Sequence, residues 1–132
     1  MNRNLLDENG LKTGMWDDTY KDGSLAASGE YKAGKRIGEW TDWLKNGNLK
    51  SRGSYDDNGD FTGYWEWYRE NGLPLQKGSF EAGKQHGHWE RFFDNGQLWD
   101  IGEWDMGIRV GEWKTYDREG NLTKTRNHKS RR

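Results

Sequence analysis

Glycine recurrence is the feature that most constrains this chain. All nineteen glycines fall on four positions of one repeat. Two of these positions form the pattern Gly-x-x-x-Gly-x-Trp, which occurs five times at a spacing of 24 or 25 residues and ends at Trp16, Trp40, Trp65, Trp89 and Trp113. A fixed period of this kind is typical of an array in which each copy contacts only its neighbours. Such arrays usually present surfaces to partners.

Each copy reads as a β-hairpin followed by a return turn. Asn46-Gly47 lies between two strand-like runs, as do Asn71-Gly72 and Asn95-Gly96. This dipeptide favours a two-residue type I′ turn, because both central residues need positive φ. A second turn near Ala33-Gly34 leads into the next copy. Ten such turn signals predict about ten antiparallel strands.

Hairpin arithmetic then predicts the strand register. If Asn46-Gly47 is the turn, Trp40 opposes Gly53, and Gly53 opposes Trp65 across the second turn. Gly38 similarly opposes Tyr55, and the next copy is expected to repeat this pairing, with Gly63 also opposite Tyr55. Each ring would shield a cross-strand glycine, which lets a sheet curl strongly.

Composition limits the possible functions. Apolar residues make up only 30% of the 132 residues, whereas nine are Trp, so the core must consist of rings. A net charge of −1 argues against a nucleic-acid binder. Cysteine is absent, and no apolar leader or segment of membrane length occurs. We therefore expect a cytoplasmic protein without membrane insertion.

No residue pattern points to catalysis. His86 and His88 would share one strand face, but no third metal ligand can be identified. Serines such as Ser28 and Ser54 occupy outward strand positions, and acidic pairs such as Asp17-Asp18 are expected in solvated turns and on solvated faces. The Gly-x-x-x-Gly segments precede strands instead of helices, so they form no phosphate loop. The sequence predicts no enzyme, no metal site and no cofactor.

The repeat resembles the MORN repeat in its tryptophan-bearing bacterial variant, as in the YwqK-like antitoxin family. The likeness is carried by Tyr31-Lys-Ala-Gly-Lys-Arg-Ile-Gly-Glu-Trp40 and by Phe80-Glu-Ala-Gly-Lys-Gln-His-Gly-His-Trp89. Two departures are an extra residue near Asp56-Asp57-Asn58 and Pro74 in place of Leu. The resemblance implies an all-β fold, an elongated antiparallel meander of hairpins in a twisted, curled sheet.

The repeat boundaries make the chain a single domain, 1–132. A half-copy spans 5–13, and full copies span 14–37, 38–62, 63–86 and 87–110. A terminal half-copy spans 111–125, and a basic tail spans 126–132. From Lys124 onward the chain is basic and lacks apolar residues, so we expect a disordered, solubilising end. The alternative is an electrostatic handle for an acidic partner or a phosphate backbone.

The face that the core does not use is unusually aromatic. If Trp40 points inward, Trp43 points outward, and the equivalent positions in later copies are also aromatic or apolar. Rings among charges are typical of protein-binding surfaces, although a strongly curled sheet that buries rings on both faces would also explain them. The predicted partner-binding residues are Trp43, Tyr64, Glu66, Tyr68, Leu75, Glu90, Phe92, Asp94, Trp99, Ile101 and Tyr116.

The resemblance implies an immunity or antitoxin protein that is monomeric when free. It would neutralise a cognate protein toxin, such as a polymorphic or secreted effector domain, by stoichiometric binding. Two alternatives remain open. One is a MORN-like scaffold for proteins or lipid headgroups, and the other is a carbohydrate-binding repeat module.

Overall fold

The computed structural model describes residues 3–129 and forms one sheet of eleven antiparallel strands. The strands lie side by side in chain order, as the all-β meander prediction requires. Their bounds are β1 (Leu5–Leu6), β2 (Lys12–Thr19), β3 (Leu25–Lys32), β4 (Lys35–Trp43), β5 (Leu49–Tyr55), β6 (Phe61–Tyr68), β7 (Pro74–Glu81), β8 (Lys84–Phe92), β9 (Leu98–Asp105), β10 (Ile108–Tyr116) and β11 (Leu122–His128). The half-copy at the start supplies the two-residue β1. Across the described range, no helix has the length and apolar character needed to span a membrane.

The turns lie where they are predicted, but the type I′ geometry is at the return turn and not at Asn-Gly. At Lys45-Asn46-Gly47, the Gly47 N–H donates to the Leu44 carbonyl, the Leu44 N–H donates to the Asn48 carbonyl, and Gly47 has φ 91°. This is a three-residue loop in which only the glycine needs positive φ, so the type I′ prediction is wrong here. The type I′ geometry occurs instead at Ala33-Gly34, where φ is positive at both residues (49° and 80°). The extra residue of copy two lengthens the equivalent loop at Asn58-Gly59.

The tryptophan–glycine pairing is confirmed. Trp40 is opposite both Gly29 and Gly53 in the sheet. A Cβ built on Gly53 would lie 2.0 Å from the Trp65 ring, and Gly29, Gly78 and Gly102 stand in the same relation to the Trp of the following strand. Each ring therefore lies flat on the backbone of the strand before it. We call the surface that carries these rings the tryptophan face.

The second predicted row, in which Gly38, Tyr55 and Gly63 oppose one another, is only partly correct. It holds for strands joined by an Asn-Gly loop and fails for strands joined by a return turn. Gly38 pairs with Tyr55 as expected, but Tyr31 pairs with Arg36 and not with Gly38, because the register shifts between Gly29 and Glu30. Similar shifts occur at the other return hairpins, so Tyr55 pairs with Phe61 and not with Gly63. Gly38 has φ 66°, a left-handed conformation that favours glycine. The glycines of this row thus form β-bulges and do not lie under rings.

Each bulge interrupts the regular pairing of two strands, and beside it an indole N–H donates to a backbone carbonyl of the preceding strand. The Trp40 Nε1–H donates to the Glu30 carbonyl at 2.9 Å, on the strand before the bulge. The same bond joins Trp65 to the Ser54 carbonyl at 3.0 Å, and equivalent bonds occur in the later copies. A buried indole N–H without an acceptor is costly, so these bonds fix the orientation of each ring.

The core is a row of rings on a single layer. Trp40, Trp65, Trp89 and Trp113 are all at most 4% exposed. At the centre, Phe61 packs on Trp65 with ring centroids 4.5 Å apart. At the same position of the preceding copy, the Arg36 guanidinium lies 4.0 Å from the Trp40 ring centre and pairs with Asp42 at 3.0 Å. Cations therefore take the place of rings towards the ends of the array.

The basic end of the chain is more ordered than predicted. Residues Leu122–His128 form β11, which pairs with β10 from Gly111 to Tyr116. The expectation of a disordered end from Lys124 is thus wrong for residues 124–128, because the last half-copy supplies a complete partner strand. The rest of the predicted tail, 130–132, lies outside the described residues.

Candidate functional site

The surface behind the tryptophan face, here called the opposite face, carries an exposed tyrosine beside an ionic network. Tyr64 on β6 is 55% exposed. Its neighbour Glu66 accepts a hydrogen bond from Arg52 Nε at 2.6 Å and lies 3.9 Å from Lys77 Nζ. These contacts span β5, β6 and β7, because cross-strand register places Arg52, Glu66 and Lys77 in line. The Lys77 ammonium also lies 5.8 Å from the Tyr68 ring centre.

Charge in this cluster is organised around Glu66. Partial burial raises the pKa of its carboxyl, but hydrogen bonds from Arg52 and Tyr68 outweigh that effect, so the pKa is lower than usual. Burial and the Glu66 charge both raise the pKa of Tyr64 and of Tyr68. Near neutral pH the site therefore holds an ionised carboxylate between two cations, flanked by two neutral phenols.

Five further predicted residues join this face. Strand alternation from Trp40 places Trp43 there, and the same argument from Trp89 places Glu90 and Phe92 on it. Ile101 is paired across strands with both Glu90 and Lys114, and Tyr116 follows Lys114 by two residues. Apart from the exposed Tyr64, these rings are partly covered.

Trp99 lies on the other side of the sheet, so its assignment to the outward row is wrong. Arg91 pairs with Asp100 and Phe92 with Leu98, which leaves Trp99 as the extra residue of a bulge. Its ring stacks on Phe93 at 5.4 Å, with the Arg91 guanidinium 4.1 Å from the ring centre. These two partners belong to the tryptophan face.

Two other predicted residues also leave the row. Leu75 occupies the same bulged position in copy three, since Trp67 pairs with Gln76 and Tyr68 with Pro74. Alternation therefore no longer places Leu75 on the outward row, although the residue is 37% exposed. Asp94 lies after β8 in the hairpin loop and pairs with Arg118 at 2.5 Å.

The prediction missed the cations and one acid of the site. Arg52 and Lys77 are the direct partners of Glu66, and Glu39 lines the same surface. A depression of about 390 Å³ lies between the side chains of Glu39, Thr41, Arg52, Ser54, Tyr64 and Glu66. The sequence signal was available, because the register that pairs Trp40 with Gly53 also places Arg52 and Ser54 on the opposite face.

The two neighbouring histidines each contact a different acid. His86 Nδ1 accepts a hydrogen bond from the Met106 N–H at 3.2 Å and lies 3.7 Å from Asp105. His88 Nε2 lies 3.4 Å from Glu90. Among residues 3–129, no group of three or more His, Asp or Glu side chains is arranged to hold a metal ion.

Comparison with known families agrees with the repeat geometry. Residues 36–57, 85–105 and 109–130 match the MORN repeat variant. No curated protein matches the chain. The matched stretches contain the hairpins β4–β5, β8–β9 and β10–β11, each with its bulge glycine and its buried tryptophan. The chain is a MORN-repeat protein of the variant type.

Proposed function

We propose that this chain is a non-enzymatic binding protein that holds a protein partner on the opposite face of its sheet. The proposal rests on one observation, the patch of Tyr64, Glu66 and Tyr68 with Arg52 and Lys77. A solvated sheet face normally carries polar side chains, whereas this one carries exposed and half-exposed rings among paired charges. Tyr, Trp and Arg in such a setting are the residue types that dominate protein-binding energies.

The shape of the site supports a macromolecular partner. The depression beside Tyr64 is shallow and lined by both acidic and basic groups, whereas small-molecule sites are concave and mostly apolar. The patch lies on the central strands β4–β8, which the tryptophan row holds rigidly. A rigid surface loses little entropy when a partner binds.

Glu39 and Glu90 lie beside the patch, so its surroundings hold three carboxylates against the two cations Arg52 and Lys77, which favours a partner with a basic surface. The antitoxin-like resemblance suggests that this partner is a toxin whose cleft binds an anionic substrate. In this proposal, the cytoplasmic chain covers that cleft in a stoichiometric complex and converts no substrate. The MORN match equally suits a scaffold that only holds its partner, and inhibition of the partner separates the two functions.

The test begins with capture of a partner from the source cells and continues with that partner in purified form. Calorimetric titration measures stoichiometry and affinity, and the partner's own activity is measured at increasing ratios of this chain. We expect inhibition to be complete at a fixed molar ratio. Inactivation of excess partner by a small amount of this chain would show turnover and refute the proposal.

Alanine variants locate the binding face. Tyr64→Ala and Phe92→Ala should each weaken the complex by about 2 kcal/mol while leaving the fold intact. Trp99→Ala is the matched control, since it removes a half-exposed ring from the tryptophan face and should leave affinity unchanged. Glu66→Lys should mainly slow association and alter its salt dependence. If only Trp99→Ala reduces binding, the partner uses the tryptophan face.

A further inference from the structure

The last strand of the sheet has a free edge. β11 (Leu122–His128) pairs with β10 on one side, and no described strand pairs with its other side. Every second residue of an edge strand directs its backbone N–H and C=O away from the sheet, so these groups can accept another strand. Six of its seven residues are exposed.

At the opposite end of the sheet, the edge of β2 is covered by residues 3–6, whereas no described residues cover the edge of β11 in this way. β1 covers only Lys12 and Thr13 of β2, but Asn4 continues the pairing. The Asn4 N–H donates to the Met15 carbonyl at 3.0 Å, and its side chain exchanges two hydrogen bonds with the Asp17 backbone. Arg3 then pairs with the Asp17 carboxylate at 2.7 Å.

The edge of β11 does not suit a further copy of the repeat. Arg126, six residues after Gly120, occupies the position that Gly29, Gly53, Gly78 and Gly102 hold in the other return strands, and it pairs with Trp113. At those glycines even a Cβ would meet the next ring at 2.0–2.3 Å. An added strand with a tryptophan in register would therefore collide with the Arg126 side chain. This excludes head-to-tail stacking of copies through the tryptophan row.

The exposed face of the edge is strongly basic. Lys124, Arg126 and His128 are paired with Thr115, Trp113 and Gly111, so all three project on the tryptophan face at alternate positions. Within the described residues, Lys124 and Arg126 have no carboxylate within 4.0 Å. Burial lowers the pKa of His128, and the charges of Arg126, Arg109 and Lys124 lower it further, which reports a local excess of positive charge.

We propose that β11 is a docking edge for an extended acidic polypeptide segment, which adds as a twelfth antiparallel strand. Acidic side chains at alternate positions of the added strand would lie opposite Lys124 and Arg126, where opposite charges across strands are stabilising. The free backbone groups would form the ladder, as in other cases of strand addition. The backbone ladder favours a polypeptide over a nucleic acid or an anionic membrane, because neither offers a matching row of amide groups.

The probe is the peptide acetyl-Thr-Glu-Val-Glu-Val-Glu-Thr-amide, titrated into the full chain labelled with ¹⁵N. We expect saturable chemical-shift changes confined to β11 and the neighbouring part of β10. The double variant Lys124→Glu/Arg126→Glu should weaken binding about tenfold, since two favourable cross-strand pairs become repulsive. Lys114→Glu, a matched charge reversal on the opposite face of β10, should leave binding unchanged.

Two further probes distinguish strand addition from simple attraction of anions. A peptide of the same charge with N-methylated backbone amides cannot form the ladder, so it should lose binding at low salt. Equal binding of this peptide, of a single-stranded oligonucleotide or of phosphatidylserine vesicles would show a general anion surface and overturn the proposal. Peptide-induced shifts outside β10 and β11, or a loss of affinity in Lys114→Glu, would overturn it as well.

Discussion

Gly53→Ala tests how the tryptophan row holds the sheet together. Gly53 does not have positive φ, so alanine fits its backbone conformation. The added Cβ, however, would lie 2.0 Å from Trp65 Cδ2 and 2.3 Å from Cε2. Ordinary contact needs about 3.4 Å, so the ring must move away by more than about 1 Å or the strands must separate.

The cost follows from what the displaced ring would lose. Trp65 is 3% exposed, its Nε1–H donates to the Ser54 carbonyl at 3.0 Å, and it packs on Phe61 and Trp67 with centroids 4.5 and 5.4 Å apart. Overpacking usually costs about 1–3 kcal/mol, and loss of a buried hydrogen bond adds about 1 kcal/mol. We expect Gly53→Ala to reduce the free energy of unfolding by about 3 kcal/mol, or roughly 10 °C in Tm.

Urea unfolding followed by tryptophan fluorescence and by circular dichroism measures this loss, and agreement of the two probes checks cooperativity. Gly63→Ala is the matched control, because its Cβ would meet nothing within 4 Å and only its φ of 68° opposes alanine. That variant should lose about 1 kcal/mol.

A double-mutant cycle isolates the contact. Trp65→Ala removes the ring that the new Cβ would meet, so Gly53→Ala should cost almost nothing in that background. Equal losses for Gly53→Ala and Gly63→Ala, or additive effects in the cycle, would refute the argument that the ring requires glycine beneath it.

Three further perturbations test other parts of the structure. Asp100→Asn should destabilise the fold by about 2 kcal/mol, because this 4%-exposed carboxylate pairs with Arg91 at 2.6 Å. Asp42→Asn, which affects a more exposed pair, should reduce the free energy of unfolding by less in the same urea assay. Hydrogen bonds from Arg3 and Ser28 lower the pKa of Asp17 to about 2. The contribution of Asp17 to stability is therefore complete above about pH 4 and is lost as the pH falls through 2. Asp17→Asn should remove this pH dependence from acid unfolding curves. Gly120→Asn should lower Tm by the equivalent of less than about 1 kcal/mol, since asparagine tolerates the positive φ of this loop glycine. A larger loss would indicate that the Gln97 side chain, 3.1 Å from the added Cβ, does not move aside.

The repeat pattern is sufficient to predict the sheet and the composition of its core. Regular glycines and alternating rings predict antiparallel hairpins and the position of each turn. The predicted pairing of Trp40 with Gly53 is correct although the loop has three residues, because a bulge at Lys50 shifts the register by one residue. Strand alternation alone predicts that Tyr64, Glu66 and Tyr68 share one face. Because the chain has no long aliphatic runs, its core must be formed by aromatic side chains.

The positions where side-chain alternation breaks depend on contacts between strands. A β-bulge depends on hydrogen bonds between two strands, so the residues on one strand do not reveal it. Such a bulge moves Trp99 to the tryptophan face, and another separates Tyr31 from Gly38. Beside that bulge, the Trp40 indole donates to the carbonyls of Glu30 and Ile37, contacts that the sequence does not predict. Local spacing therefore predicts the hairpins, whereas the faces beyond each bulge depend on contacts between strands.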